Sequence, residues 1–290
     1  MGDRLPTTME KYAIIGWPVR HSLSPQMQEA GLRALGRDAR YELCETPPEE
    51  LGQRMEQLRQ DGYRGWNVTV PHKEQVFAML EHRDGDALSA GSVNTIVNRH
   101  GVLHGFSTDG YGLAEAIRES FGIATAQSRQ LFLGTGGAAR AAAVYAAVHG
   151  AAEIILVNRT LSRAEALAET IRHAAPTCPV RCLPLADADN IAALLPSCDV
   201  LIQCTSLGLK ANDPLPFAPE LIPPGLAVMD MIYGFTPFRA QCAARGCPTA
   251  DGSGMLLHQG CRSLELWTGQ DAPVAAMRQA LAQALAKRQA

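Results

Sequence analysis

The chain has 290 residues, 47% of them apolar and 19% charged, with a formal net charge of -3 at neutral pH. That length leaves room for two domains of about 150 residues each, and the composition excludes a fibre or a disordered chain. An acidic balance with no basic cluster argues against nucleic acid as a partner, so the expected partner is a small molecule.

No segment before Lys11 has an apolar core flanked by basic residues, so no signal peptide is visible, and no run of about 20 apolar residues could span a bilayer. A cytoplasmic protein without membrane contact is the expectation. The eight cysteines lack the C-x₂-C pairing of a zinc site and the density of a secreted scaffold, which predicts reduced thiols. His100 and His104 sit four apart, but Arg99-His100-Gly101 reads as a turn between strands. No metal is assigned.

In chain order, short apolar runs alternate with amphipathic stretches: residues 12–16, then a helix from about Pro25; residues 41–44, then a helix from about Pro48; residues 65–70, then a helix from about His72. Such alternation predicts a parallel α/β sheet. His21-Ser22-Leu23-Ser24-Pro25 places two hydroxyls just before the first helix. Ser24 there reads as an N-cap ahead of Pro25 at the first helical position, a role that Ser22 does not share. In residues 65–70 the period of two sets Asn67 and Thr69 on one face, and Pro71 stops the strand. Lys73 then opens the next helix, where its charge opposes the helix dipole; that cost points to chemistry rather than decoration.

Residues 92–98 and 102–106 read as an antiparallel pair joined at Gly101, with Asn94 inside it and Asp109 after it. Asparagine and aspartate are common at such places for backbone reasons alone. Residues 109–121 read as a helix leading to a second unit. There Gln130-Leu131-Phe132-Leu133 runs into Gly134-Thr135-Gly136-Gly137-Ala138-Ala139 and a helical stretch to His149. This is G-x-G-x-x-(G/A) in its required strand-to-helix context, a dinucleotide fingerprint. Residues 154–157 form the next strand and end in Asn158-Arg159-Thr160, with Arg163 following. An NAD site would put a carboxylate there. An amide, two guanidiniums and a hydroxyl suit a 2′-phosphate instead, so NADP is the expected cofactor. Further strands fall near Val180, at 200–203 and at 227–231. Beyond Gly254 the pattern is helical, broken at 269–273. Met255, Leu256, Leu257, Leu264, Leu266 and Trp267 spread apolar area over more than one helix face, which predicts packing rather than a solvated tail.

These segments together resemble shikimate dehydrogenase, in order and over nearly the whole chain. The resemblance rests on Ser22-Leu23-Ser24-Pro25, the run from Asn67 to Lys73, Gly91-Ser92-Val93-Asn94-Thr95, Ser107-Thr108-Asp109-Gly110, the glycine turn, Asn158-Arg159-Thr160, and Asp251-Gly252-Ser253-Gly254-Met255-Leu256 with Gln259. It implies an α/β chain with an open, mostly parallel substrate domain, a Rossmann dinucleotide domain, and a C-terminal helix returning to the first domain. The expected boundaries are 1–110 with 255–290 for the substrate domain and 111–254 for the NADP domain. The implied activity is the reversible, NADP-dependent reduction of 3-dehydroshikimate to shikimate in the biosynthesis of chorismate and the aromatic amino acids. Lys73 and Asp109 would be the catalytic pair, and Ser22, Ser24, Asn67, Thr69, Asn94, Tyr233 and Gln259 would hold the substrate. Gly134, Gly136, Gly137, Ala138, Asn158, Arg159, Thr160, Arg163, Thr205 and Gly252 would hold NADP. Three positions depart from the family pattern: Ser92 for alanine, Ser107 for asparagine, and Gln203-Cys204 for Asn-Ala. They leave open a quinate/shikimate or amino-shikimate paralogue, and a module that senses shikimate or quinate without turning it over is the non-catalytic alternative. The oligomeric state stays open, a homodimer included.

Overall fold

A computed structural model describes residues 9–210 and 212–289. They form two compact units, one of residues up to Thr108 together with those from Leu257 onward, the other of Asp109–Leu256. The first unit carries β1 (Glu10–Gly16), α1 (Ser24–Ala34), β2 (Ala39–Glu45), α2 (Leu51–Gln60), β3 (Gly65–Val68), α3 (Lys73–Met79), β4 (His82–Arg83), α4 (Gly85–Ala90), β5 (Thr95–Arg99) and β6 (Val102–Phe106). Its sheet runs β2-β1-β3-β5-β6-β4. β1 pairs in parallel with β2 and β3, whereas β5 is antiparallel to β3 and β6. Tyr12, Ala13, Ile14 and Ile15 form an unbroken buried run, the pattern of a strand covered on both faces.

In the second unit α5 (Asp109–Phe121) is followed by β7 (Arg129–Leu133), α6 (Gly137–Val148), β8 (Glu153–Asn158), α7 (Leu161–Ala174), β9 (Val180–Pro184), α8 (Ala188–Leu194), β10 (Val200–Gln203), β11 (Ala227–Asp230), α9 (Pro237–Ala244) and β12 (Thr249–Asp251). All six strands are parallel, in the order β12-β11-β10-β7-β8-β9. Renumbered within the unit this is the doubly wound 3-2-1-4-5-6 sheet. Alternate residues feed two cores: Phe132, Ile154, Leu156 and Ile202 on one face, Leu131, Leu133, Ile155 and Leu201 on the other. The chain ends in α10 (Ser253–Thr268) and α11 (Val274–Gln289). Among the described residues no helix is long and apolar enough to cross a membrane.

The predicted elements differ from the structure in instructive places. The strand expected over 65–70 stops at Val68, because the Thr69 carbonyl accepts the His72 N–H (3.0 Å) and starts a turn two residues before Pro71. The strand expected from Ser92 begins at Thr95, since Asn94 is engaged through its side chain. The first helix starts one residue early, at Ser24, with Leu23 as N-cap and Pro25 at the second helical position. Ser24 is therefore no cap. Ser22 acts as one: its Oγ accepts the Ser24 N–H at 3.2 Å.

α10 returns to the first sheet through polar as well as apolar contacts. Trp267 stacks obliquely on Tyr12 (ring centroids 5.1 Å) and Tyr41 (6.1 Å), and its Nε1–H donates to the Ile96 carbonyl at 2.8 Å. Gln28 on α1 donates to the Gly260 carbonyl at 2.9 Å, with both groups buried. Replacing Trp267 by Ala should cost about 3 kcal/mol in urea unfolding, the low end for a large aromatic because the ring is only half-buried. Trp267→Phe keeps the ring area and loses the N–H, and should cost about 1 kcal/mol. Equal losses for the two variants would show that the hydrogen bond, not the packing, anchors the helix.

Candidate active site

In each sheet the strand order reverses beside the strand that comes first in the chain, and there the loops leaving adjacent strands diverge and open a crevice at their C-terminal ends. In the first unit the reversal falls at β1, between β2 and β3. Ser22 and Ser24 follow β1, and Thr69 and Lys73 follow β3. The two loops are tied together, since Trp17 N–H donates to the Val70 carbonyl at 3.0 Å. Lys73 is half-buried and is the first residue of α3. Its backbone carbonyl accepts the Val93 N–H (3.0 Å), which ties it to the Asn94 loop. His72 beside it is wholly buried. Its Nε2 lies 2.7 Å from the Thr46 carbonyl, and because a carbonyl only accepts, that nitrogen carries the proton.

Beneath these loops lies a buried polar network. Asn67 Oδ1 accepts the Tyr41 hydroxyl at 2.7 Å. Its Nδ2 reaches the Asn94 carbonyl (3.2 Å), Thr95 Oγ1 (3.1 Å) and Ser263 Oγ (3.0 Å). Asn94 Oδ1 accepts the Thr108 N–H at 2.8 Å, while its Nδ2 donates to Thr108 Oγ1 (2.9 Å) and Gln259 Oε1 (3.4 Å). Ser263 sits one turn beyond Gln259 on α10, donates to the Gln259 carbonyl at 2.9 Å and lies 2.8 Å from Thr95 Oγ1. Thr95 and Ser263 are fully buried. Tyr41 also hydrogen-bonds Ser24, and burial pushes its hydroxyl far above the ordinary phenol range.

Of the residues expected from sequence, Ser24, Asn67, Asn94 and Gln259 thus meet in or beside one network, Ser22 caps the helix that starts at Ser24, and Thr69 and Lys73 stand on the adjoining loop. Asp109 is buried at the start of α5, one residue after Thr108. Tyr41, His72, Thr95, Thr108 and Ser263 were missed. Ser263 had one legible signal: it follows Gln259 by four, so both fall on one face of a helix.

The second unit reverses between β7 and β10, and the glycine turn occupies that point. Gly134 adopts φ +96°, and a Cβ there would lie 2.9 Å from Thr205 Cγ2 in the loop after β10. Only glycine fits such a turn without strain. At Gly136 and Gly137 a Cβ would meet nothing within 4 Å, so space lies open over the start of α6. That helix has no side-chain cap and no acid in its first turn. Thr135 Oγ1 is buried without a partner. Free helix N–H groups, open space and an orphaned hydroxyl fit a pyrophosphate. Asn158 ends β8 and donates to the Thr160 carbonyl at 2.9 Å, shaping the turn from which Arg159 and Arg163 extend, both exposed. After β11, Asp230 accepts from Thr236 Oγ1 (2.6 Å) and the Ile232 N–H (3.1 Å), and burial raises its carboxyl above the usual range. These bonds shape the loop holding Tyr233, which is 38% exposed. The Gly234 N–H donates to Asp251 Oδ2 at 2.9 Å, next to Gly252.

A doubly wound dinucleotide unit joined to an α/β unit with a lysine and hydroxyl-rich crevice defines a nicotinamide-dependent oxidoreductase. Residues 14–96 match the shikimate dehydrogenase substrate binding domain, 114–209 the shikimate / quinate 5-dehydrogenase family and 252–282 the shikimate 5′-dehydrogenase C-terminal domain. The chain is 42% identical over 272 residues to a shikimate dehydrogenase (NADP(+)) of Rubrobacter xylanophilus, covering 92% of this chain and 94% of that one. Among solved structures it is similar to shikimate 5-dehydrogenase from Listeria monocytogenes in complex with shikimate and NAD, with TM-score 0.89, 31% identity, and 97% and 99% of the two chains covered. It is also similar to shikimate 5-dehydrogenase from Thermus thermophilus in complex with NADP(H) and shikimate, with TM-score 0.83, 33% identity, and 95% and 100% covered. The chain belongs to the shikimate dehydrogenase family.

Proposed function

We propose that this chain is an NADP-dependent shikimate dehydrogenase, catalysing the reversible reduction of 3-dehydroshikimate to shikimate on the route to chorismate and the aromatic amino acids. The observation that carries the reading is that each sheet's reversal point bears the groups that one half of the reaction needs. The first gathers hydroxyls, amides and Lys73; the second offers an open glycine turn beside a β8 end that has arginines and no carboxylate. NADP, when bound, supplies the hydride acceptor in one direction and the donor in the other.

In our reading Ser22 and Ser24 grip the substrate carboxylate, and Thr69, Asn94, Gln259 and Tyr233 hold it and its ring hydroxyls. Asn67 faces the substrate through its one remaining acceptor lone pair, the rest of its amide being spent on the network. In the oxidation direction Lys73, as the free amine, takes the proton of the reacting hydroxyl while the carbon gives up its hydride. In reduction its ammonium returns that proton to the carbonyl oxygen. Asp109 stabilises the charged lysine. Gly134, Gly136, Gly137 and Ala138 cradle the pyrophosphate, Thr205 and Gly252 line the same side, and Asn158, Arg159, Thr160 and Arg163 receive the 2′-phosphate. All eight cysteines are free, in keeping with the cytoplasm as the compartment we assign. A homodimer is the assembly we propose.

The direct test is a steady-state assay of shikimate and quinate against NADP⁺ and NAD⁺. Shikimate with NADP⁺ should win, with kcat/KM at least about tenfold above that with NAD⁺, or roughly 1.4 kcal/mol. Arg159→Ala should raise the KM for NADP⁺ and leave NAD⁺ use nearly unchanged. A protein that binds shikimate and turns over neither substrate would be a sensor. A second test concerns the proton. Lys73→Ala should lower kcat by about 10²–10⁴ with a modest change in shikimate affinity. If kcat stayed within about threefold, Lys73 would be only a binding residue.

A further inference from the structure

A second crevice in the first unit takes no part in the proposed reaction except at its edge. It lies between α1 and α11 and encloses about 560 Å³. The two helices approach closely at Gly31, where a Cβ would lie 2.7 Å from Leu264 Cδ2 and 3.0 Å from Met277 Cγ. From that crossing the crevice runs back to the residues before α1 and forward to the end of α11, so the helices are antiparallel along it. Ala30, Ala280 and Ala284 lie along it; Arg20, His21, Arg33, Lys287 and Arg288 supply basic side chains, and Glu29 is the one acid among its lining residues.

The antiparallel course brings Lys287 and Arg288, in the last turn of α11, to the end where Arg20 and His21 precede α1. Like charges so close repel unless a counter-charge lies among them. Arg20 has Glu45 as an ion-pair partner. Among the described residues no carboxylate is paired with Arg33, Lys287 or Arg288. Arginine and lysine together are the chemistry of phosphate recognition. The crevice is larger than an inorganic phosphate needs and falls within the range of small-molecule sites.

We propose that this crevice is a second anion site, which binds a small metabolite bearing a diphosphate: the phosphates lie among Arg20, His21, Lys287 and Arg288, and the organic remainder lies along the alanine floor. The site goes beyond the dehydrogenase reading and shares with it only the Ser22 loop.

The test is calorimetric titration of inorganic pyrophosphate into the full chain, with NADP⁺ saturating so that the glycine turn of the other unit is filled. Sodium chloride holds the ionic strength constant. One further site should appear, tighter for pyrophosphate than for inorganic phosphate. Lys287→Glu/Arg288→Glu should weaken it at least about tenfold, and Lys287→Ala/Arg288→Ala should weaken it less. Both side chains are exposed on the final turn, and circular dichroism of the variants checks that the helix persists. No binding, or binding equal in wild type and the charge-reversed variant, overturns the proposal. So does binding that Arg159→Ala removes and charge reversal spares, since that pyrophosphate would sit in the pocket at the end of β8 that we assign to the 2′-phosphate.

Discussion

The first unit depends on one buried constraint: α10 reaches the sheet from the far end of the sequence and must satisfy polar groups there as well as fill space. Asn67, Asn94, Thr95, Thr108 and Ser263 are all buried, and each would carry a desolvation penalty if left unpaired. They escape it by pairing with one another and with Tyr41 and Gln259. The bonds span β2, β3, β5, the loop before α5, and α10, so no one of these elements can shift without breaking bonds to the others. A polar network is a demanding solution, because a partly satisfied one is worse than an apolar core. It fixes amides and hydroxyls at the floor of the crevice in which we propose that a polyhydroxylated acid is recognised.

The same logic separates the two units. In the second unit the sheet core is apolar on both faces, and the surface at the reversal point is backbone: N–H groups at the start of α6 without a side-chain cap, and a glycine whose missing Cβ leaves room for Thr205. A pyrophosphate looks alike in every dinucleotide, so in the proposed reading backbone suffices to hold it, and side chains are spent only at the end of β8, where we place the 2′-phosphate that distinguishes one cofactor from another. In the first unit the proposed ligand is particular, and side chains are available to recognise it. His72 shows how much support that takes, since a fully buried ring is spent on holding the Thr46 carbonyl beside the lysine loop.

How legible this was in the sequence follows from range. The glycine turn, β8 with Asn158-Arg159-Thr160, and the helix from Asp109 were readable because each is local, a strand or helix with its own period and its own turn residues. That the helix after Gly254 packs was readable from apolar residues on more than one face, whereas its return to the first sheet was implied by the family resemblance alone. The short elements β4, α4, α8, α9 and β12 were not, since elements of 2 to 8 residues carry too little periodicity. The serine pair was misassigned because Ser-x-Ser-Pro fits a cap at either serine, and only the backbone angle at Leu23 decides between them. Ser263 and Thr108 were missed for a different reason. Their partners lie 196 and 14 residues away, and local periodicity does not show which buried hydroxyls those partners need.

The central claim is that the polar network, and not apolar packing alone, holds α10 in register with the sheet. A double-mutant cycle on Asn67→Ala and Ser263→Ala, read by urea unfolding of the first unit, tests it most directly. Residues in one hydrogen-bond network couple by about 0.5–3 kcal/mol, and the account predicts a value in that range, with the double variant less destabilised than the sum of the singles. Strict additivity would contradict it, because the two side chains would then contribute to stability independently of the bond drawn between them.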